Sequence, residues 1–205
     1  MLQSHSFSPL VIRGRSLLPI VQGGMGVGIS AHRLAGSVAR EGALGTIASI
    51  DLRHHHPDLV ERCSRSADHA TLEQANLAAL AREIHAAKAL SEGRGMIAVN
   101  VMKAVSAQAD YVRVACESGA DAIVMGAGLP LDLPEMTQGR DIALIPILSD
   151  SRGVALVLKR WMKKGRLPDA VVIEHPAHAG GHLGVANIAD MNDQRFDFVR
   201  ILQEL

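Results

Sequence analysis

Residues 18–50 read LPIVQGGMGVGISAHRLAGSVAREGALGTIASI, and the order of textures in this stretch decides the fold. An apolar run at 18–22 gives way to a glycine-dense turn. An alanine-rich stretch at helical spacing follows over 31–41, and a second apolar run over 44–48. Strand, turn, helix and strand in that order make one βα unit.

The same alternation continues with a period of roughly 30 residues. Strands are predicted over 18–22, 44–48, 96–102, 122–126, 144–148 and 170–174, each apolar at nearly every position, as suits a parallel strand buried on both faces. Helices are predicted over 31–41, 72–92, 107–118, 152–164 and 195–205, with a short one over 133–138. The helix over 72–92 is the best marked. Leu72, Ala75, Ala79, Ile84, Ala87 and Leu90 form an apolar stripe, Thr71 is placed as N-cap, and Gly93 is placed to end it. Residues 51–69 read as one long polar loop in which Pro57 keeps the chain extended. Consecutive βα units build either an open doubly wound sheet or a (β/α)8 barrel, and both put chemistry at the C-terminal ends of the strands. Six units fall short of eight. The reading is therefore an α/β chain with a TIM-barrel-type repeat, one incomplete barrel domain over 1–205, its C-terminal units missing.

Composition excludes several classes. The 205 residues carry 21 Lys and Arg against 21 Asp and Glu, with 2% aromatic residues, so there is neither a basic footprint nor a stacking platform for nucleic acid. No apolar run approaches the roughly 20 residues that cross a bilayer, and residues 1–9 lack the layout of a secretory signal, so a cytoplasmic protein is expected. Cys63 and Cys116 stand too far apart in sequence for a CxxC motif.

Gly23, Gly24, Gly26 and Gly28 follow the first strand. Four glycines in six positions let main chain approach a ligand closely and offer amide N–H groups to an anion. A rival reading takes Gly26, Gly28 and Ala31 as a dinucleotide fingerprint with Asp51 as the ribose-binding acid, although Gly23, Gly24 and Met25 intervene between strand and fingerprint.

The most chemically loaded segment runs from Glu174 to Gly184 after the sixth strand. It holds His175, His178 and His182 beside Gly180 and Gly181. Histidine suits proton transfer near neutral pH, and a Gly-Gly pair lets a flat ligand pack on bare backbone. Three histidines with Glu174 also allow a metal-site reading, as the run His54, His55, His56 does more weakly. Asn100 interrupts the apolar third strand, where a carboxamide must bond backbone or hold a polar ligand. Ser149 and Asp150 end the fifth strand.

Taken together, PIVQGGMG at 19–26, GALGTI at 42–47, VNV at 99–101 and AGGHLG at 179–184 resemble the nitronate monooxygenase family, formerly 2-nitropropane dioxygenase, which includes FMN-dependent enoyl-acyl-carrier-protein reductases. The resemblance implies a TIM barrel with FMN at its C-terminal mouth. It implies cofactor contacts at Gly24, Met25, Asn100, Ser149, His175, Gly180 and Gly181, and His182 as the catalytic acid/base. The chain departs from the family at His178, which stands where a Glu is usual, at His175, often acidic there, and at Ser149, where some members carry Lys.

The function expected from the resemblance is FMN-dependent oxidation of alkyl nitronates or nitroalkanes with O2, on a small-molecule substrate and without metal. An enoyl-thioester reductase using NAD(P)H is the nearest alternative. Family members continue with two further strands, so this chain is expected to be one piece of a longer protein, or a silent fragment or subunit that needs a partner. Open strand edges would favour association and leave room for a homo-oligomer.

Overall fold

Apolar runs of this kind need cover on both faces, and a parallel sheet with helices outside and packed side chains inside supplies it. The computed structural model describes residues 7–65, 68–179 and 187–205. A short antiparallel hairpin, β1 (Leu10–Ile12) and β2 (Arg15–Leu17), comes first. Six parallel strands follow: β3 (Val21–Gln22), β4 (Leu44–Ala48), β5 (Met96–Met102), β6 (Ala122–Gly126), β7 (Ala143–Leu148) and β8 (Val172–Ile173). Each is bonded to its neighbour in sequence, in the order β3-β4-β5-β6-β7-β8. A doubly wound sheet reverses its strand order at a switch point, so this uninterrupted order is that of a barrel wall.

The helices are α1 (His32–Arg40), α2 (Pro57–Arg65), α3 (His69–Ser91), α4 (Gln108–Glu117), α5 (Leu133–Met136), α6 (Ser151–Met162) and α7 (Phe198–Glu204). Alternation along the pleat divides the side chains between two apolar clusters. Ile97, Val99 and Val101 of β5 and Ile123 and Met125 of β6 pack outward among the helices. Met96, Ala98, Ala122, Val124, Ala143 and Ile145 face inward, where Ile12 and Leu17 of the hairpin join them. Helix α1 lies directly on β4. A Cβ at Gly45 would fall 2.0 Å from the Ala35 carbonyl oxygen, so only glycine permits this approach.

The N-terminal ends of the strands are tied by aspartates. The Asp121 carboxylate accepts the Ile97 N–H at 2.7 Å and the Lys88 ammonium at 2.8 Å. Arg15 of the hairpin reaches it at 3.0 Å. Asp169 repeats the device one strand pair on, accepting the Leu144 N–H at 2.8 Å and Arg13 at 3.3 Å.

Several elements differ from expectation. Residues 51–69 are not one loop: a 3-10 turn spans Leu52–His55 and α2 follows. Pro57 does not keep this segment extended but opens α2, where a missing N–H costs nothing, and Leu59 and Cys63 bury one face. Helix α3 begins at His69 with Asp68 as its N-cap, accepting the Thr71 N–H at 2.9 Å, so Thr71 is capped rather than capping. The predicted strands over 18–22 and 170–174 shorten to two residues each. The last helix starts at Phe198, after a 3-10 turn over Gln194–Phe196.

Candidate functional site

The site is built where β3 ends. Gln22, its last residue, extends the pairing to β4 with its side chain: Oε1 accepts the Thr46 N–H at 3.0 Å, and Nε2 donates to the Thr46 carbonyl at 3.2 Å and to Ser30 Oγ at 2.9 Å. Ser30 is fully buried. Its hydroxyl also accepts the Met25 N–H at 2.8 Å and donates to the Gly23 carbonyl at 3.3 Å, while its own N–H reaches the Met25 carbonyl at 3.0 Å. The glycine-rich turn is thus stapled at Met25 and Ser30. The N–H groups of Gly24, Gly26 and Gly28 donate to nothing among the described residues.

Gly24 lies against Asn100. A Cβ at Gly24 would stand 2.6 Å from Asn100 Cβ, so main chain itself packs on that side chain. By pleat alternation Asn100 shares the inward face with Met96 and Ala98, near the C-terminal end of β5. Its carboxamide makes no hydrogen bond to a described residue. Met25, next to Gly24 in sequence, is 42% exposed.

Ser149 follows the end of β7, and Asp150 after it caps α6 by accepting the Gly153 N–H at 2.7 Å. His175 follows β8. Its Nδ1 accepts the Ala177 N–H at 3.1 Å, which leaves the ring proton on Nε2. Phe198 meets its ring edge-on at 5.8 Å between centroids, and His178 lies at 5.2 Å. The Glu174 N–H continues the ladder to the Leu148 carbonyl at 2.9 Å, and burial holds its carboxyl above the usual carboxylate range. Gly180, Gly181 and His182 lie outside the described residues. Among the described residues, no group of three or more His, Cys, Asp or Glu could hold a metal ion. No helix among them is long and apolar enough to cross a membrane.

Sequence reasoning missed a second cluster behind the turn. Glu83 of α3 is 1% exposed. Its Oε2 accepts both the main-chain N–H and the Nδ1–H of His32 at 2.7 Å. Its Oε1 lies 3.0 Å from His56 Nε2. Burial works to raise the Glu83 carboxyl, but the His32 contacts and, to a lesser extent, the His56 imidazole together outweigh it and hold the group below its usual range. This cluster bears on the dinucleotide alternative, because a carboxylate already occupies the start of α1, where a pyrophosphate would sit. Asp51 is engaged as well, by Arg53 and by Asn76 at 3.4 Å. With the unbroken strand order, the fingerprint reading is left without a free helix start and without a free acid.

The family model described as nitronate monooxygenase matches residues 14–203. The chain belongs to the nitronate monooxygenase family. Among solved structures, FabK from Thermotoga maritima is similar, with 21% identity and a TM-score of 0.54 over 82% of this chain and 43% of that one. A mutant of the same FabK matches at 20% identity and a TM-score of 0.54, over 78% of this chain and 45% of that one. Nitroalkane oxidase from Streptomyces ansochromogenes shows 16% identity and a TM-score of 0.34, over 77% of this chain and 65% of that one. At these identities the FabK likeness speaks for the fold. This member of the nitronate monooxygenase family spans less than half the length of FabK. No curated protein has a matching sequence.

Proposed function

We propose that this chain is an FMN-dependent oxidoreductase of the nitronate monooxygenase type, oxidising alkyl nitronates or nitroalkanes with O2. The observation that carries the reading is Gly24 main chain on Asn100 at the C-terminal end of the sheet. Among the described residues it combines bare backbone, amides that donate to nothing and a carboxamide without a partner, which suits a flat, polar-edged ring. Gly24 and Met25 would lie along that ring and Asn100 would bond its polar edge. Ser149, His175, Gly180 and Gly181 would complete the cradle.

When bound, FMN supplies the redox chemistry with O2; the protein supplies binding, orientation and proton handling. His182 would take the proton from the carbon that bears the nitro group, a step that a neutral nitroalkane needs and a nitronate does not. Substitution His182→Ala should then abolish turnover of nitroethane and leave flavin content and ethylnitronate oxidation in place.

The deciding experiment is the absorption spectrum of the purified protein, with mass analysis of whatever is released on denaturation. Released FMN, with O2 consumed on addition of ethylnitronate, is the expected result. A protein that stays colourless after FMN is added overturns the reading. Bleaching by NADPH without nitronate oxidation would replace it by enoyl-thioester reduction.

A further inference from the structure

We infer that Glu83 is a positioning residue for the glycine-rich turn, holding its exit and its cover at once, one through each carboxylate oxygen. The role rests on the flavin reading only for its consequence; the geometry stands by itself. The turn over residues 23–30 runs directly into α1, and the first residue of that helix, His32, gives both its main-chain N–H and its ring N–H to Glu83 Oε2. The cover is the segment before α2. There His55 packs on the far end of the turn: a Cβ at Gly28 would fall 2.9 Å from His55 Nε2. The next residue, His56, brings Nε2 to 3.0 Å from Glu83 Oε1, an ion-pair distance without hydrogen-bond geometry.

The neighbouring charges are otherwise occupied. On α2, Asp58 takes both guanidinium nitrogens of Arg82 at 2.8 Å, and on the 3-10 turn Arg53 is bound by Asp51 and Asn76. His32 and His56 are the ionisable groups within ion-pair distance of Glu83 among the described residues. A buried carboxylate is costly to leave unanswered, and here two hydrogen bonds from His32 and the close approach of His56 answer it, so its loss is felt on both sides. Losing the carboxylate frees the start of α1 and the His55 segment together. The Met25–Ser30 staple, which lies between them, then opens more often.

Amide hydrogen exchange on the whole chain tests this without reference to any ligand. In Glu83→Ala, exchange at Met25 and Ser30 should rise about tenfold while Ile97, Val99, Ile123 and Met125 stay protected. In Glu83→Gln, which keeps an acceptor for the His32 N–H, protection at both positions should return in part. Arg82→Ala, which cuts only the exposed pair with Asp58, should leave both unchanged. Unchanged exchange at Met25 and Ser30 in Glu83→Ala, or an equal rise throughout the sheet, overturns the role. FMN affinity is read separately: Glu83→Ala should weaken it about tenfold. A wild-type chain that binds no FMN defeats the flavin reading and leaves the exchange result to decide the positioning role.

Discussion

Gly24 and Asn100 touch across an intervening strand: the backbone that leaves β3 passes over β4 and rests on a side chain of β5, close enough that a methyl group on Gly24 would meet Asn100 Cβ at 2.6 Å. Gly24→Ala should therefore displace the turn, with a stability loss of about 1–3 kcal/mol from overpacking. FMN binding should weaken with it. Combining it with Asn100→Gly removes the obstructing Cβ and should recover part of the stability but not the binding, which needs the carboxamide. Denaturant midpoints and flavin titrations of the three variants check this.

The seat of α1 on β4 is tighter still. At Gly45 an added Cβ would penetrate the Ala35 carbonyl, which is main chain and cannot rotate away. Gly45→Ala should cost about 3 kcal/mol, at the upper end of the overpacking range, and a thermal midpoint close to that of the parent would show that α1 can slide.

At the opposite end of the sheet, Asp121 gathers the Ile97 N–H, Lys88 and Arg15. Asp121→Ala leaves two cations and a strand N–H without their acceptor, and a loss of about 2 kcal/mol is expected. Asp121→Asn keeps an acceptor for the N–H and should lose less. Urea unfolding of the pair of variants measures the difference, and equal stabilities would remove the charge from the account.

Acid titration should separate two glutamates that shift in opposite directions from the ordinary value of 4.5. Glu83 sits below that value, so its contribution is in place above it and fades as pH falls beneath it. Glu174 sits above it through burial. Its ionisation works against the folded state, so the cost is absent in acid and grows as pH rises from the ordinary value through the raised one. Glu174→Gln should match the parent at about pH 4 and exceed it at about pH 8. A variant less stable than the parent at the higher pH would mean that Glu174 has a partner the burial argument omits.

What could be read from the sequence was whatever a local period carries. The apolar runs of β4, β5 and β6 fall where expected because each is long enough to show a buried strand by itself. Helix α2 escaped because only Leu59 and Cys63 mark its buried face among polar residues. The hairpin escaped because its strands are three residues long, joined at Arg13 and Gly14, whose positive φ angles of 47° and 75° only the turn reveals. At the site, Gly24 and Asn100 stood out as residue types unusual for their setting. Ser30 and Glu83 did not: a serine before a helix and a glutamate within one are ordinary, and Glu83 acquires its meaning from His32, 51 residues away.

The hairpin also sets an order of events in time. Strands that pair with their sequence neighbours can add one after another as the chain leaves the ribosome, since each contact closes only a short loop. Arg15 and Arg13 obey a different clock. Their partners Asp121 and Asp169 lie 106 and 156 residues downstream, so a segment synthesised before all six strands of the sheet is the one that must wait longest to dock. Until it does, the inward residues of β4 to β7 have no lid at that end, and the nascent sheet is at its most exposed to chaperones and to other chains.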